Sequence, residues 1–336
     1  MAYNEVTVAT NLLNPATLSF CLGATARFVR SDLAIPKDIS TAISVFLLFS
    51  IGLKGGHELS LASLGGVAGP VAATLFLGVV TPLIVFLILR LFGRLSIADS
   101  AGIAAHYGSV SVVTFIAAEG FVSALLSGRK DLPPLEGYMA TLVALLESPG
   151  ITVALLLGIF LGPHSKDRST ASLLHEVVTG RTMFLLVGGL ILGSLMGTKN
   201  WETIAPFFDP RGAVFRGLLC IFLLEMGISA ASRFREVRSM GIFLLAVGIV
   251  IPLINAAIAI GLGFLSGLSV GGTAVLATMA ASASYIAAPA AVRASLPEAN
   301  PAYYLTLALA ITFPFNIIIG IPLYFSMADW YFRVMA

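Results

Sequence analysis

Hydrophobic residues along this chain fall into ten blocks of roughly 17 positions or more, divided by short polar stretches that hold most of the charge. A helix rising about 1.5 Å per residue needs that length to cross a bilayer. The blocks lie near 14–30, 37–56, 65–92, 98–127, 135–161, 173–197, 212–232, 239–265, 269–294 and 302–327. They predict an all-α polytopic membrane protein of ten transmembrane helices. Blocks four and nine differ from the rest. The ninth contains Ala280-Ala281-Ser282-Ala283-Ser284-Tyr285-Ile286-Ala287-Ala288 and then Pro289, small residues and hydroxyls instead of Leu and Val. Such a run makes a poor lipid-facing helix, and the proline marks a place where a helix can stop and restart with free N–H groups. Within hydrocarbon that break survives only if it is buried in protein or lines a watery cavity.

The same pattern occurs in the first half. Gly108-Ser109-Val110-Ser111 falls on Ala281-Ser282-Ala283-Ser284 when the chain is shifted by 173 positions, 282 against 109. Leu95-Ser96 then falls on Leu268-Ser269. With small gaps, Ile51-Gly52-Leu53 lies over Met226-Gly227-Ile228, Pro82 over Pro252, Tyr138 over Tyr303, and Pro149 over Pro314. The chain therefore reads as two repeats, 1–162 (spans 1–5) and 173–336 (spans 6–10), joined by a short cytoplasmic linker at 163–172. Five spans per repeat is an odd number, so the second copy enters the membrane from the opposite side, giving a 5+5 inverted repeat with spans 4 and 9 broken.

Composition agrees with this picture and removes other classes. At 336 residues, 58% hydrophobic and 11% charged, the chain is too apolar for a soluble globular protein. The net charge of +2 gives no reason to expect nucleic acid. Cys21 and Cys220 lie in apolar blocks and read as small core residues. Residues 1–10 lack the basic region and cleavage site of a signal peptide. Across ten spans, twelve Lys and Arg, including Arg90, Arg94, Arg233 and Arg235, gather on one side and seven, including Lys54, Arg129 and Arg211, on the other. That bias puts the first set in the cytoplasm and both termini outside. No phosphate loop, metal cluster or nucleophile and base pair has usable spacing, so an enzyme is not expected.

Two oppositely directed half-helices meeting at mid-membrane bring two helix N-termini together, each carrying roughly half a positive charge. Such a place favours a small anion. Its donors would be the N–H groups and hydroxyls of Gly108, Ser109, Val110 and Ser111, and of Ser282, Ala283, Ser284 and Tyr285. The bland alternative is that these serines only let helices pack. Anion uptake against a negative interior costs about 2.3 kcal/mol per charge per 100 mV, and a co-transported cation removes that penalty. Glu147, before Pro149 and mid-span, is the leading cation ligand, with Ser148, Ser284 and its repeat counterpart Thr312. It also reads as a proton-coupling group or a structural carboxyl. Glu119 reads as lining an access path, Glu225 and the lone His106 as structural groups, and Asn255 and Asn316 as interhelical hydrogen-bonders.

These residues sit in a wider pattern. Phe208-Asp209-Pro210, Phe215-Arg216-Gly217, Ser282-Ala283-Ser284, Pro297-Glu298-Ala299-Asn300-Pro301 and, earlier, Ile35-Pro36 and Gly55-Gly56 make the chain resemble the sodium-dependent bicarbonate transporter family of cyanobacterial type, as a divergent member. The resemblance implies a homotrimer in the inner membrane and an elevator in which a core of spans 3–5 and 8–10 moves against a scaffold of spans 1, 2, 6 and 7. It implies bicarbonate at the two breaks with sodium beside it as coupling ion, and no other cofactor or metal. The chain departs from the family at Tyr285, where the pattern has an aspartate, and at Gly108-Ser109-Val110-Ser111, where it has a Ser-Gly-Ser-Thr run, while Glu147, where it has an aspartate before the proline, retains one charge. The long cytoplasmic loop is absent, which leaves a regulator of the PII type in doubt. Sodium-coupled bicarbonate symport is the leading expectation. Symport of another small anion with sodium or protons, and a non-transporting receptor that keeps the fold, are the alternatives.

Overall fold

The computed structural model describes residues 13–129, 131–162, 175, 179–237 and 240–335, and no strand occurs among them. Thirteen helices carry the argument: α1 Pro15–Phe28, α2 Lys37–Leu61, α3 Leu64–Leu91, α4 Ile97–Gly108, α5 Val112–Ser127, α6 Met139–Leu161, α7 Arg181–Leu195, α8 Gly197–Phe208, α9 Ala213–Ser232, α10 Gly241–Leu265, α11 Val270–Ala280, α12 Ala288–Ser295 and α13 Pro301–Met335. Many begin where a short polar side chain can accept a free backbone N–H. Asn14, Ser63, Ser96, Ser111, Ser269 and Asn300 each cap a helix in this way.

By length and apolarity, seven helical stretches among the described residues can cross a membrane: α2, α3, the α4–α5 pair, α6, α9, α10 and α13. Ten blocks in the sequence thus correspond to seven stretches on this criterion, for identifiable reasons. α1 has only 14 residues, ending before Arg30 turns the chain at φ 59°. Most of the opening of the sixth block lies outside the described residues, so its helix is followed without interruption only over Arg181–Leu195, and the ninth is divided into α11 and α12. The linker at 163–172 and the first residues of the chain also lie outside the described residues.

Two features differ from the sequence expectation. Residues 197–208, expected as loop, form α8, set off from α7 by Gly197 at φ 71° and anchored by buried Trp201. Its apolar residues occupy one side only, so it makes no continuous hydrophobic block. The last span runs on to Met335 and widens into π-helix at Leu307–Thr312 and Asn316–Gly320. Each widening lies just ahead of a proline, Pro314 and Pro322. A proline ring clashes with the carbonyl four residues back, and a wider turn relieves that clash.

Glycines set the tightest helix contacts. α1 packs on α9, where a Cβ on Gly23 would lie 1.9 Å from the Leu224 carbonyl oxygen and one on Gly227 2.1 Å from that of Phe20. α2 packs on α7 in the same manner, through Gly56 against Leu190 and Gly193 against Leu53. Backbones this close gain dispersion contact that lipid tails cannot supply. α8 packs on α2, α7 and α9, and the remaining helices form a second group. α3, α4 and α6 pack together, as do α10, α11 and α13, while α5 crosses to α11 and α12 to α4. The buried side chains make two clusters, and Tyr285 packs against both.

Candidate functional site

α4 stops at Gly108, and Ser109 is extended at φ −106°, ψ 168°. α5 starts two residues later with Ser111 as its cap: Ser111 Oγ accepts from the Thr114 N–H at 3.3 Å and from Thr114 Oγ1 at 2.9 Å. The second break is longer. α11 ends at Ala280, residues 281–287 are non-helical, and α12 restarts with Pro289 in its first turn, where a missing N–H does no harm.

The two breaks touch. Ser111 N–H donates to Ser282 Oγ at 2.7 Å, and Ser282 Oγ donates to the Met279 carbonyl at 2.7 Å. In return, Ser284 N–H donates to the His106 carbonyl at 2.8 Å. Backbone groups released by each break are therefore taken up by the other. Neighbouring helices take two carbonyls of the second break: Asn255 Nδ2 donates to the Ala280 carbonyl at 3.1 Å and Asn316 Nδ2 to that of Ala281 at 2.9 Å. Tyr324 OH fixes Asn316 by donating to its Oδ1 at 2.8 Å. Both asparagines act as interhelical hydrogen-bonders, as their sequence position suggests, and this accounting is what hydrocarbon requires of an interrupted helix.

Glu147 comes to this junction from α6. The hydroxyls of Ser109 and Ser284 face its carboxyl, and all three residues are at most 1% exposed. Glu147 Oε2 and Ser109 Oγ nevertheless lie outside hydrogen-bonding geometry, as does Tyr285 OH, which faces Ser111. Buried polar atoms without partners are uncommon, and here three elements direct them to one place. The electrostatics are two-sided. The N-termini of α5 and α12 offer N–H groups and partial positive charge, while Glu147 and the hydroxyl oxygens offer ligands for a hard cation. Among the described residues no three His, Cys, Asp or Glu converge as a metal cluster.

The remaining sequence candidates divide. Gly108, Val110 and Ala283 are buried at the junction, whereas Ser148 is half-buried beside Glu147 along α6. The Thr312 hydroxyl is engaged elsewhere, donating to the Gly248 carbonyl at 2.7 Å and meeting Tyr107 OH at 2.6 Å. It therefore braces the end of α4. His106 is held by its own helix and by α13: Nδ1 lies 2.7 Å from the Gly102 carbonyl and must carry the proton there, the ring stacks on Tyr304 at 4.5 Å, and Nε2 is buried without a partner. Glu225 ties α2 to α9 by accepting from Ser40 at 3.0 Å and from Ser229 at 3.2 Å. Glu119 lies on the wall of a cavity of about 700 Å³ between α5 and the α1–α9 pair, whose lining includes none of the residues of the two breaks.

One residue that sequence reasoning missed is Gly150. A Cβ there would stand 1.8 Å from the Gly108 carbonyl oxygen, so α6 lies directly against the first break. Following Pro149, this glycine reads in sequence as a helix breaker, and nothing local signals the contact.

Comparison with curated protein sequences returned no match. The sequence model of the Na+-dependent bicarbonate transporter superfamily, however, matches residues 15–329 of this apolar, multi-helix chain, which therefore belongs to that superfamily and is a membrane transporter and not an enzyme.

Proposed function

We propose that this protein is a secondary active transporter that brings a small oxyanion, bicarbonate foremost, into the cell together with sodium. The observation that carries the reading is the junction itself: Ser111 joined to Ser282, with the carboxyl of Glu147, its Oε2 buried without a partner, facing Ser109 and Ser284. An ionised carboxylate beside an anion site opposes anion binding. A sodium ion held by Glu147, Ser284 and Ser148 neutralises it, so each ion makes room for the other and the pair crosses with little net charge. The anion then sits among residues 108–111 and 282–285 on the donors the two breaks leave free, the Ser109 and Tyr285 hydroxyls first, while the Ser111 and Ser284 N–H groups stay with Ser282 and His106. Thr312 serves this site by positioning the end of α4.

A 5+5 inverted repeat of ten spans is supported by contacts that recur at aligned positions. Gly52 of α2 packs on α7 as Gly227 of α9 packs on α1, and Ser96 and Ser269 cap the first part of each broken helix. We assign α1, α2, α7 and α9 to a scaffold and the other spanning helices to a core that moves as an elevator. Assembly as a homotrimer in the inner membrane, with both termini outside, completes the proposal.

A proton-coupled version is the second reading. It is favoured by Glu147 Oε2, buried without a partner, and by Tyr285, which leaves Glu147 as the carboxylate facing the serines. Uptake of labelled bicarbonate into proteoliposomes separates the two. The sodium reading expects accumulation under an inward sodium gradient at uniform pH. Accumulation under a pH gradient alone would favour the proton, and no uptake under either would overturn transport of bicarbonate.

A further inference from the structure

The cavity between α5 and the α1–α9 pair has a volume of about 700 Å³, a size usual for sites of drug-sized ligands and far larger than a single small oxyanion needs. Its lining is largely apolar, with Ile116, Leu126, Leu132, Leu135 and Leu219 among the residues. Its polar lining includes Arg129, Arg211 and Arg216, with Glu119 opposite on α5. These charges are not equivalent. Arg129 is held by Asp131 in a two-pronged pair, Nε to Oδ1 at 2.8 Å and Nη2 to Oδ2 at 2.7 Å. The guanidinium of Arg216 makes no ion pair among the described residues, and Arg211 acts on Glu119 only at a distance. Lys54, Glu58 and Asp209, which also act on Glu119, are bound to one another. An apolar chamber with a free guanidinium in its lining suits an amphiphilic anion, and a carboxylate head on a short aliphatic tail fits both features.

We propose that this cavity is a binding site for medium-chain aliphatic carboxylates, with Arg216 and Arg211 holding the head group and Glu119 opposing it. The tail fills the space between α5 and α9. If α5 travels with a moving core, an assumption that rests on the transport reading, an occupied cavity blocks that movement without competing for the junction.

A native thiol reports occupancy. Cys220 lines the cavity, and Cys21 is the other free cysteine. In the Cys21→Ala protein, reconstituted in nanodiscs, the rate of maleimide reaction at Cys220 is measured against decanoate, with decanol as the uncharged control. The site expects decanoate to protect Cys220 saturably and decanol to protect it far less. Arg216→Gln should weaken protection about tenfold, as expected for one lost charge-assisted contact. Glu119→Gln should strengthen it, and Ala124→Trp, which fills the cavity, should abolish it. Equal protection by decanol, no protection by decanoate, or indifference to both charge substitutions would overturn the proposal. The readout needs no transport, so its failure is distinct from a failure of bicarbonate uptake. Where uptake is measurable, decanoate should lower the maximal rate and leave KM for bicarbonate unchanged.

Discussion

Glu136 holds Ser269 by two bonds, accepting from its backbone N–H at 2.6 Å and from its hydroxyl at 2.9 Å. Glu136 belongs to the loop that enters α6, and Ser269 caps α11. A matching tie is made by Asp99, in the first turn of α4, which accepts the Asn300 N–H at 2.8 Å from the loop that enters α13. The start of each broken helix is thus fastened to the loop before the last helix of the other half. Glu136→Gln should cost about 1–3 kcal/mol, because the carboxylate receives two charge-assisted bonds in a partly buried place. A thermal unfolding midpoint unchanged from wild type would refute the tie.

Gly150→Ala should be among the most damaging single-methyl changes in the chain. Its Cβ would sit 1.8 Å from the Gly108 carbonyl oxygen, which cannot retreat without shifting the first break. Gly120→Ala is the control, with nothing within 4 Å of the added methyl. Alanine there should be neutral or stabilising by up to about 1 kcal/mol. Comparable folded yields for the two variants, read by size-exclusion chromatography, would show that α6 does not lie against the break.

Asn316→Leu should destabilise the second break. It leaves the Ala281 carbonyl and the Tyr324 hydroxyl buried without their present partner, at about 1–3 kcal/mol. Because Asn255 serves the adjacent carbonyl, the double variant with Asn255→Leu should lose more than the sum of the two single losses. Additive unfolding midpoints would mean that the two caps act independently.

Much of this was legible in the sequence, and the rest was hidden for physical reasons. Hydroxyls and small residues in an apolar run mark both breaks, because the run recurs at matching places of the two repeats and is followed in the second by Pro289, which packing alone does not require. The same logic makes Asn255 and Asn316 hydrogen-bonders, since a buried amide must find partners. α8 was hidden because its apolar face has no continuous run. The π-helical widenings of α13 were hidden because a proline announces a disturbance without saying whether the helix kinks or widens. Thr312 aligns with Glu147 by repeat, but alignment does not reveal that Tyr107 and Gly248 engage its hydroxyl. Gly150 is a contact between distant parts of the chain, which no local pattern records.

Glu147→Gln should uncouple transport. The amide keeps the shape and removes the charge, so residual bicarbonate flux should no longer rise with sodium, and Glu147→Asp should retain part of the dependence. Ser282→Ala tests the anion side. It removes the oxygen that accepts the Ser111 N–H and should raise KM for bicarbonate roughly tenfold, the value of about one hydrogen bond. Full sodium dependence in Glu147→Gln, or an unchanged KM in Ser282→Ala, would reassign that residue to packing.

The most direct test is a high-resolution map of the protein determined with bicarbonate and sodium, compared with one determined in their absence. The account predicts planar anion density between residues 109–111 and 282–285, and a second, spherical feature bounded by Glu147 and Ser284 that appears only with sodium. An anion bound away from both breaks, or continuous helix through Ser109 and Ser282, would contradict it.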